Sequence, residues 1–202
     1  MGTYKPTLSI HAEITPPSKR NNNSSTLTIR YGFQPSRFGL CLIGISPKGI
    51  AYLAFVNHED RQEGLTILKS RWPNVALIED SALIKTAFTH IFNDQTSLAK
   101  SSPLAVHLQG TPFQLQVWQA LTSTQPGTLH TYQDIATSIG KPKAYRAVGS
   151  ALNKNRVAVL IPCHRVIPKN GGLGGFRWGS AIKEKLLQWE GIDINAPPNR
   201  TS

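Results

Sequence analysis

Residues 131–152 read TYQDIATSIGKPKAYRAVGSAL, and the division of the whole chain follows from this stretch. Thr131, with Asp134 three residues on, makes a capping box in which Asp stands in for Glu. Ile135 and Ile139 then share one face of a short helix that Gly140 ends. Pro142 suits a first helical turn, where its missing N–H has no intrahelical partner to lose, and the next helix runs through Ala144, Tyr145, Arg146, Val148 and Leu152. Two short helices joined by a brief glycine-containing turn have the outline of a helix-turn-helix, an outline that many helical hairpins share without binding anything.

Upstream, Thr111-Pro112 is an N-cap followed by proline at the first helical position, and Phe113, Val117, Trp118 and Leu121 lie on one face of a helix closed by Pro126-Gly127. Downstream, Val157 to Ile161 is an apolar run with strand character, ended by Pro162 directly before Cys163-His164-Arg165. A closing helix follows, with Ser180 as its cap and Gly191 just past its end. Glu190 falls in its last turn, where a carboxylate opposes the helix dipole; it is either exposed and tolerated or held by a specific partner.

The first half alternates instead. Leu27, Ile29 and Tyr31, then Leu40, Leu42 and Ile45, then Ile50, Tyr52, Leu53 and Phe55 read as an antiparallel meander, with Ser46-Pro47-Lys48-Gly49 as a turn. Helical spacing follows at Leu65, Leu68 and Trp72 and at Leu83, Ala87, Phe88 and Ile91, and Pro103 to Leu108 supplies a further strand. The expected organisation is therefore a flexible tail at 1–26, an α+β domain at 27–108, a mainly α domain at 109–192 and a second tail at 193–202.

Formal net charge is +11, and between Thr111 and Gly191 ten Lys or Arg face three Asp or Glu, so the second half is the one suited to a polyanion. No apolar stretch approaches the roughly 20 residues of a membrane span, and the first residues lack a secretory leader; a soluble, cytoplasmic protein is expected, nuclear in a eukaryote. Two cysteines, Cys41 and Cys163, are too few for a disulfide scaffold or a cysteine-built zinc site. Cys41 falls in mid-strand and reads as core.

Cys163 is the candidate nucleophile. The end of a buried strand gives the rigidity that attack requires, and His164 and Arg165 offer a base and a positive charge to favour thiolate. A buried structural cysteine is the competing reading, because neighbours on an extended segment point to opposite sides. Gly171 to Gly175 is glycine-rich, yet no strand leads into it as a dinucleotide loop requires.

Ile161-Pro162-Cys163-His164-Arg165-Val166 with Gly172-Leu173-Gly174-Gly175-Phe176-Arg177-Trp178-Gly179 resembles the active-site segment of the O6-alkylguanine-DNA alkyltransferases. The likeness runs from about Leu27 to Gly191, includes Thr111-Pro112-Phe113, Trp118, Thr131-Tyr132-Gln133 and Gly140 to Ala144, and is greatest to the C-terminal part of the bacterial Ada proteins. It implies a ribonuclease-H-like first domain and a helix-turn-helix, winged-helix-like second domain that enters the minor groove of double-stranded DNA as a monomer. It implies single-turnover transfer of a methyl or other alkyl group from O6-alkylguanine, and also O4-alkylthymine, to Cys163, with no cofactor and no metal. By the same resemblance His164 takes the thiol proton through a water, Glu190 orients the imidazole, and Asn155 ties the helix-turn-helix to the active-site strand. The backbones of Val166 and Arg177 would hold the guanine, with Phe176 and Trp178 also at the substrate, Tyr132 would crowd the phosphate of the extruded nucleotide and promote the flip, Arg146 would fill the gap it leaves, and Ala144, Tyr145, Ala147, Gly149, Ser150 and Ala151 would face the groove. Small residues there suit close approach to a narrow groove. Two departures are expected to matter: Phe176 stands where many relatives carry Tyr, and Trp178 where those tolerant of bulky groups carry a small residue. A sensor that grips damaged DNA without transfer, whose family lacks the cysteine, and a thiol hydrolase that turns over are the alternatives.

Overall fold

The computed structural model describes residues 6–14, 27–56, 60–73, 75–92 and 103–193. Strands β1 (Leu8–Ile14), β2 (Leu27–Ser36), β3 (Gly39–Ser46), β4 (Gly49–Val56), β5 (Val75–Glu79) and β6 (Leu104–Gly110) form one mixed sheet in the order β1-β6-β4-β3-β2-β5. The meander β2-β3-β4 is antiparallel, as the alternation predicts, whereas β5 joins β2, and β1 joins β6, in parallel. Helix α1 (Arg61–Arg71) connects β4 to β5, and α2 (Ser81–Phe92) precedes β6.

Two of these strands depart from the sequence reading. Residues 8–14, expected within a flexible tail, are β1, paired along its whole length with β6 from Leu8↔Leu104 to Ile14↔Gly110. Its side chains are half-buried or exposed, so the alternation of Leu8 and Ile10 is short and easily lost among polar neighbours. β5 has the same character, an edge strand with no fully buried residue. The remaining parts of both expected tails lie outside the described residues, apart from Pro6, Thr7 and Asp193.

Successive strand residues point to opposite sides, and the two sides meet different partners. Ile29, Leu42, Tyr52 and Ala54 pack with Leu68 and Trp72 around α1. Cys41, Ile43, Leu53 and Phe55 pack on the other side with Ile84 and Ile91 of α2, and that core continues without a break into Val117, Leu121, Val148, Ile161, Cys163 and Leu186 of the second half. Cys41 is fully buried there, as expected.

The second half comprises α3 (Pro112–Ser123), β7 (His130–Thr131), α4 (Tyr132–Ser138), a 3-10 turn at Pro142–Ala144, α5 (Tyr145–Asn153), a 3-10 turn at Cys163–Arg165, β8 (Val166–Ile167) and α6 (Ser180–Trp189). The expected capping box of Thr131 with Asp134 is present on α4, and the expected N-cap Thr111 makes a second box with Gln114 on α3, which the sequence reading did not include. Gly140, at φ 70°, makes the left-handed turn between α4 and α5 that a side chain would strain. Ser180 is not a cap; it is the first residue of α6, and Gly179 at φ 94° precedes it with no side-chain hydrogen bond to the helix end. Val157 to Ile161 is not a strand either. Val157 makes a single bridge to Leu53, and the chain then turns, with Val159 at φ 67°. The run is apolar because it is buried, and burial without period gives no strand.

Candidate active site

The turn that carries Cys163 is pinned from two sides. On the sheet side Leu53 N donates to Arg156 O at 2.9 Å and Ala158 N to Leu53 O at 2.8 Å, anchoring the segment to β4. On the helical side Asn155, just after α5, turns its buried side chain back: Oδ1 accepts from Val157 N at 2.9 Å, while Nδ2 donates to Ile161 O at 2.9 Å and to Cys163 Sγ at 3.1 Å. One amide thus holds the segment and touches the thiol. Because residues 163–165 form a 3-10 turn and not an extended strand, Cys163, His164 and Arg165 are all buried together.

His164 is fully buried, and its Nε2 lies 2.8 Å from Glu190 Oε1. An ionised carboxylate only accepts, so Nε2 carries the hydrogen and Nδ1 the lone pair. Nδ1 has no protein hydrogen-bond partner. Burial lowers the His164 pKa more strongly than Glu190 raises it, which keeps the imidazole neutral at pH 7 and able to accept a proton. Glu190 caps α6, and its carboxylate also accepts from Arg165 Nε at 2.9 Å and NH2 at 2.8 Å and from Gly127 N at 3.2 Å. Burial pushes its pKa up, but bonds from His164 and Arg165 outweigh this and hold it at about 2. Arg165 NH1 reaches on to Thr124 O at 2.8 Å and Oγ1 at 2.9 Å. The carboxylate in an unfavourable position on the helix therefore has a specific set of partners.

Burial pushes the Cys163 thiol up to about 11, against the opposing effects of Asn155 and the Lys183 charge. The resting group is a thiol, and attack requires its proton to leave as the bond forms. Lys183 was not singled out from the sequence. It is fully buried, donates from Nζ to Val166 O at 2.6 Å and Leu173 O at 2.5 Å, and is lowered to about 8 by that burial. It could have been found: Lys183, Leu186, Leu187 and Glu190 occupy i, i+3, i+4 and i+7, so a lysine sits on the buried stripe of α6.

Tyr132 opens α4 and is half-buried between α5 and the glycine loop; a Cβ placed on Gly149 would lie 3.6 Å from its ring, and one on Gly174 3.7 Å from its hydroxyl. Burial raises its pKa, and Cys163 adds to this, which places the two within electrostatic reach. Phe176 and Trp178 pack edge-on with ring centroids 5.1 Å apart, and Trp178 meets Phe55 of β4 in the same way at 6.2 Å. The Val166 carbonyl already accepts from Lys183, and Arg177 NH1 donates to Asn153 O at 2.8 Å.

On α5, Arg146, Ala147 and Ser150 are exposed, Tyr145 is 43% exposed with the Arg146 guanidinium 5.7 Å from its ring centre, and Ala144 and Gly149 are half-buried. Ala151 is different. It shares the stripe of Val148 and Leu152, is buried against α3, and its carbonyl accepts from Trp118 Nε1 at 3.0 Å, so its side chain does not belong to the exposed face. Among the described residues no helix is long and apolar enough to cross a membrane.

Residues 112–192 match the family model described as 6-O-methylguanine DNA methyltransferase, DNA binding domain. The chain is 38% identical over 160 residues to a methylated-DNA--protein-cysteine methyltransferase of Methanosarcina barkeri, spanning 79% of this chain and 96% of the relative. It is also 38% identical over 173 residues to the bifunctional transcriptional activator/DNA repair enzyme Ada of Escherichia coli, of which it spans only about half, 47%, against 84% of its own length. A crystal structure of Mycobacterium tuberculosis OGT in complex with DNA superposes with a TM-score of 0.61 at 28% identity, covering 81% of this chain and 93% of that one. On these similarities the chain belongs to the methylated-DNA--protein-cysteine methyltransferase family.

Proposed function

We propose that the protein repairs DNA by moving a methyl or other alkyl group from O6 of guanine, or O4 of thymine, onto its own Cys163. The observation that carries this is the buried array in which Asn155 donates to Cys163 Sγ and the neighbouring His164 is bonded through Nε2 to Glu190. Sulfur attacks the alkyl carbon, the carbon–O6 bond breaks with its electron pair left on the guanine, and the thiol proton passes through a water to His164 Nδ1. Glu190, itself held by Arg165 and Gly127, stabilises the imidazolium that results. A thioether forms, no group in the array can cleave it, and each molecule reacts once without a cofactor.

Cys163 is only 6% exposed, so the reacting atom must come to it and the nucleotide must leave the stack. Tyr132 and the 171–178 loop then frame the base, while Arg146, Ala147 and Ser150 meet the minor groove of double-stranded DNA and Arg146 fills the vacated space. We read the sheet as ribonuclease-H-like and the α4–α5 pair as the helix-turn-helix of a winged-helix-like unit, with the division near residue 109 and β1 added to the first part. The protein acts as a monomer where the DNA is, in the cytoplasm or, in a eukaryote, the nucleus.

The test is the intact mass of the protein after incubation with excess methylated duplex. One methyl group gained per molecule, mapped to the Cys163 peptide and absent from Cys163→Ser, is expected, with DNA binding retained by that variant. Alkyl on Cys41, or many turnovers per molecule as from a thiol hydrolase, would overturn the reading.

A further inference from the structure

Three arginines near the candidate site, Arg71, Arg156 and Arg177, lie within electrostatic reach of Tyr52, and among the described residues none pairs with a carboxylate. Arg156 NH1 donates to the backbone O of Arg71 at 2.9 Å, which brings the segment before Cys163 against the last residue of α1. Arg177, next to Trp178 in the loop over the site, is bonded at 2.8 Å to the Asn153 carbonyl at the end of α5. Both other charges act on Arg156: burial lowers its pKa most, and Arg71 and then Arg177 lower it further. All three charges also act on the Tyr52 hydroxyl. Among the described residues, none of the three is within ion-pairing distance of an Asp or Glu.

Like charges gathered at a half-buried surface repel unless an anion joins them, and guanidinium forks match the oxygens of a phosphate group. Placement identifies which phosphate. Arg146 and Asn153 are seven residues apart on α5, roughly 10 Å along its axis, so the cluster lies beyond one end of the helix when Arg146 stands near the other. That span exceeds a minor groove about 6 Å wide, and a duplex seated on α5 would bring backbone phosphates past both ends.

We propose that Arg71, Arg156 and Arg177 form a binding site for a backbone phosphodiester of the DNA, so that α1 of the first half takes part in gripping the duplex. This rests on the reading of α5 as the groove-facing helix. The site adds affinity without sequence preference and braces the strand next to the opening through which the base must enter.

Arg71 tests it, since only its backbone oxygen has a structural role and its side chain touches neither the thiol nor the base. Arg71→Gln should bind a methylated duplex about tenfold more weakly at low salt, with the slope of log affinity against log salt shallower by up to about 0.9. Arg71→Lys should lose much less and Arg71→Glu more, all three with the melting temperature of the unaltered protein and unchanged reaction with free O6-methylguanine base. A neutral methylphosphonate walked along each strand should locate one linkage whose replacement weakens the unaltered protein more than it weakens Arg71→Gln, in which Arg156 and Arg177 remain. If the unaltered protein transfers methyl and Arg71→Gln shares its affinity and salt slope, the phosphate site is wrong while the proposed function stands. If Arg71→Gln instead loses affinity equally at every salt concentration, the arginine acts through folding and not through charge, and the site is again wrong. No transfer by the unaltered protein would overturn the function itself.

Discussion

Asn155 Nδ2 lies 3.1 Å from Cys163 Sγ, and the same nitrogen lies 2.9 Å from the Ile161 carbonyl. One side chain therefore both shapes the turn and donates to the sulfur. Asn155→Ala leaves the buried Val157 N–H without a partner and removes one of the two donors to the Ile161 carbonyl, which still accepts from Cys163 N, and a loss of about 1 to 3 kcal/mol of stability is expected in denaturant melts. Asn155→Asp separates the two roles, because a carboxylate still accepts from Val157 N but cannot donate to sulfur and opposes thiolate. Its transfer rate should fall about a hundredfold in single-turnover assays. A rate near that of the unaltered protein would show that the sulfur contact has no part in the chemistry.

Acid should destabilise the protein in two stages. The folded His164 pKa lies below its ordinary value, so as pH falls through the ordinary range near 6.5 the unfolded chain takes up protons that the folded site resists, and stability falls. Glu190 is held at about 2 in the folded state against 4.5 otherwise, so its contribution is complete above 4.5 and is lost as pH drops toward 2. Glu13, also lowered to about 2 chiefly by Lys48, titrates in the same window. Glu190→Gln should reduce the slope of stability against pH between 4.5 and 2 without abolishing it, and an unchanged slope would contradict the assignment.

Lys183→Met should remove the charge that favours thiolate and leave the Val166 and Leu173 carbonyls short of a donor. Slow thiol reagents report this directly. Burial pushes the Cys163 thiol up to about 11, so slow labelling at pH 7 is expected of the unaltered protein, and the variant should shift the labelling profile to higher pH still. A profile that does not move would mean the lysine acts only through the loop.

Phe176 cannot donate a hydrogen bond to the departing guanine. A donor aimed at charge that appears in the transition state is worth up to roughly 3 kcal/mol, so Phe176→Tyr should speed transfer with little change in DNA affinity. Single-turnover kinetics on a methylated oligonucleotide decide it; an unchanged or lower rate means another group already occupies the position.

Trp178 packs edge-on against both Phe55 and Phe176, and a side chain of that size at this position is expected to narrow the approach for bulky groups. Methylated DNA should react much faster than benzylated free guanine, and Trp178→Gly should close that gap. Losing both edge-on ring contacts should cost about 2 kcal/mol, visible as a lower melting temperature. Equal rates with both substrates in the unaltered protein would show that the indole swings aside.

The elements with clear periodicity were legible in the sequence: the meander, the Thr111 N-cap, the Thr131 capping box, and α5, whose exposed Arg146 and buried Val148 follow directly from its spacing. Local chemistry failed where tertiary contact decides. Val157 to Ile161 is apolar because it threads the core, and only Val159 at φ 67° and the local bonds from Leu160 N to Ala158 O and from Ile161 N to Val157 O reveal that it turns instead of pairing along a strand. Edge strands β1 and β5 bury too little to mark themselves. In the site, the pairing of His164 with Glu190 came from resemblance, while the Arg165 bridge and the buried Lys183 needed the folded chain, although the misplaced charge on the stripe of α6 was visible beforehand.

The uninterrupted core has a consequence for how the molecule fails. Cys163 packs in the same apolar mass as Ile43, Leu53 and Phe55 of the sheet, so a cavity opened in the first half loosens the wall against which the nucleophile rests. Heat should melt both halves in one transition, and severing the chain near residue 109 should yield two insoluble pieces in place of a binding half and a spare one. Damage at Leu53, far in sequence from any reacting atom, should be read out as lost repair.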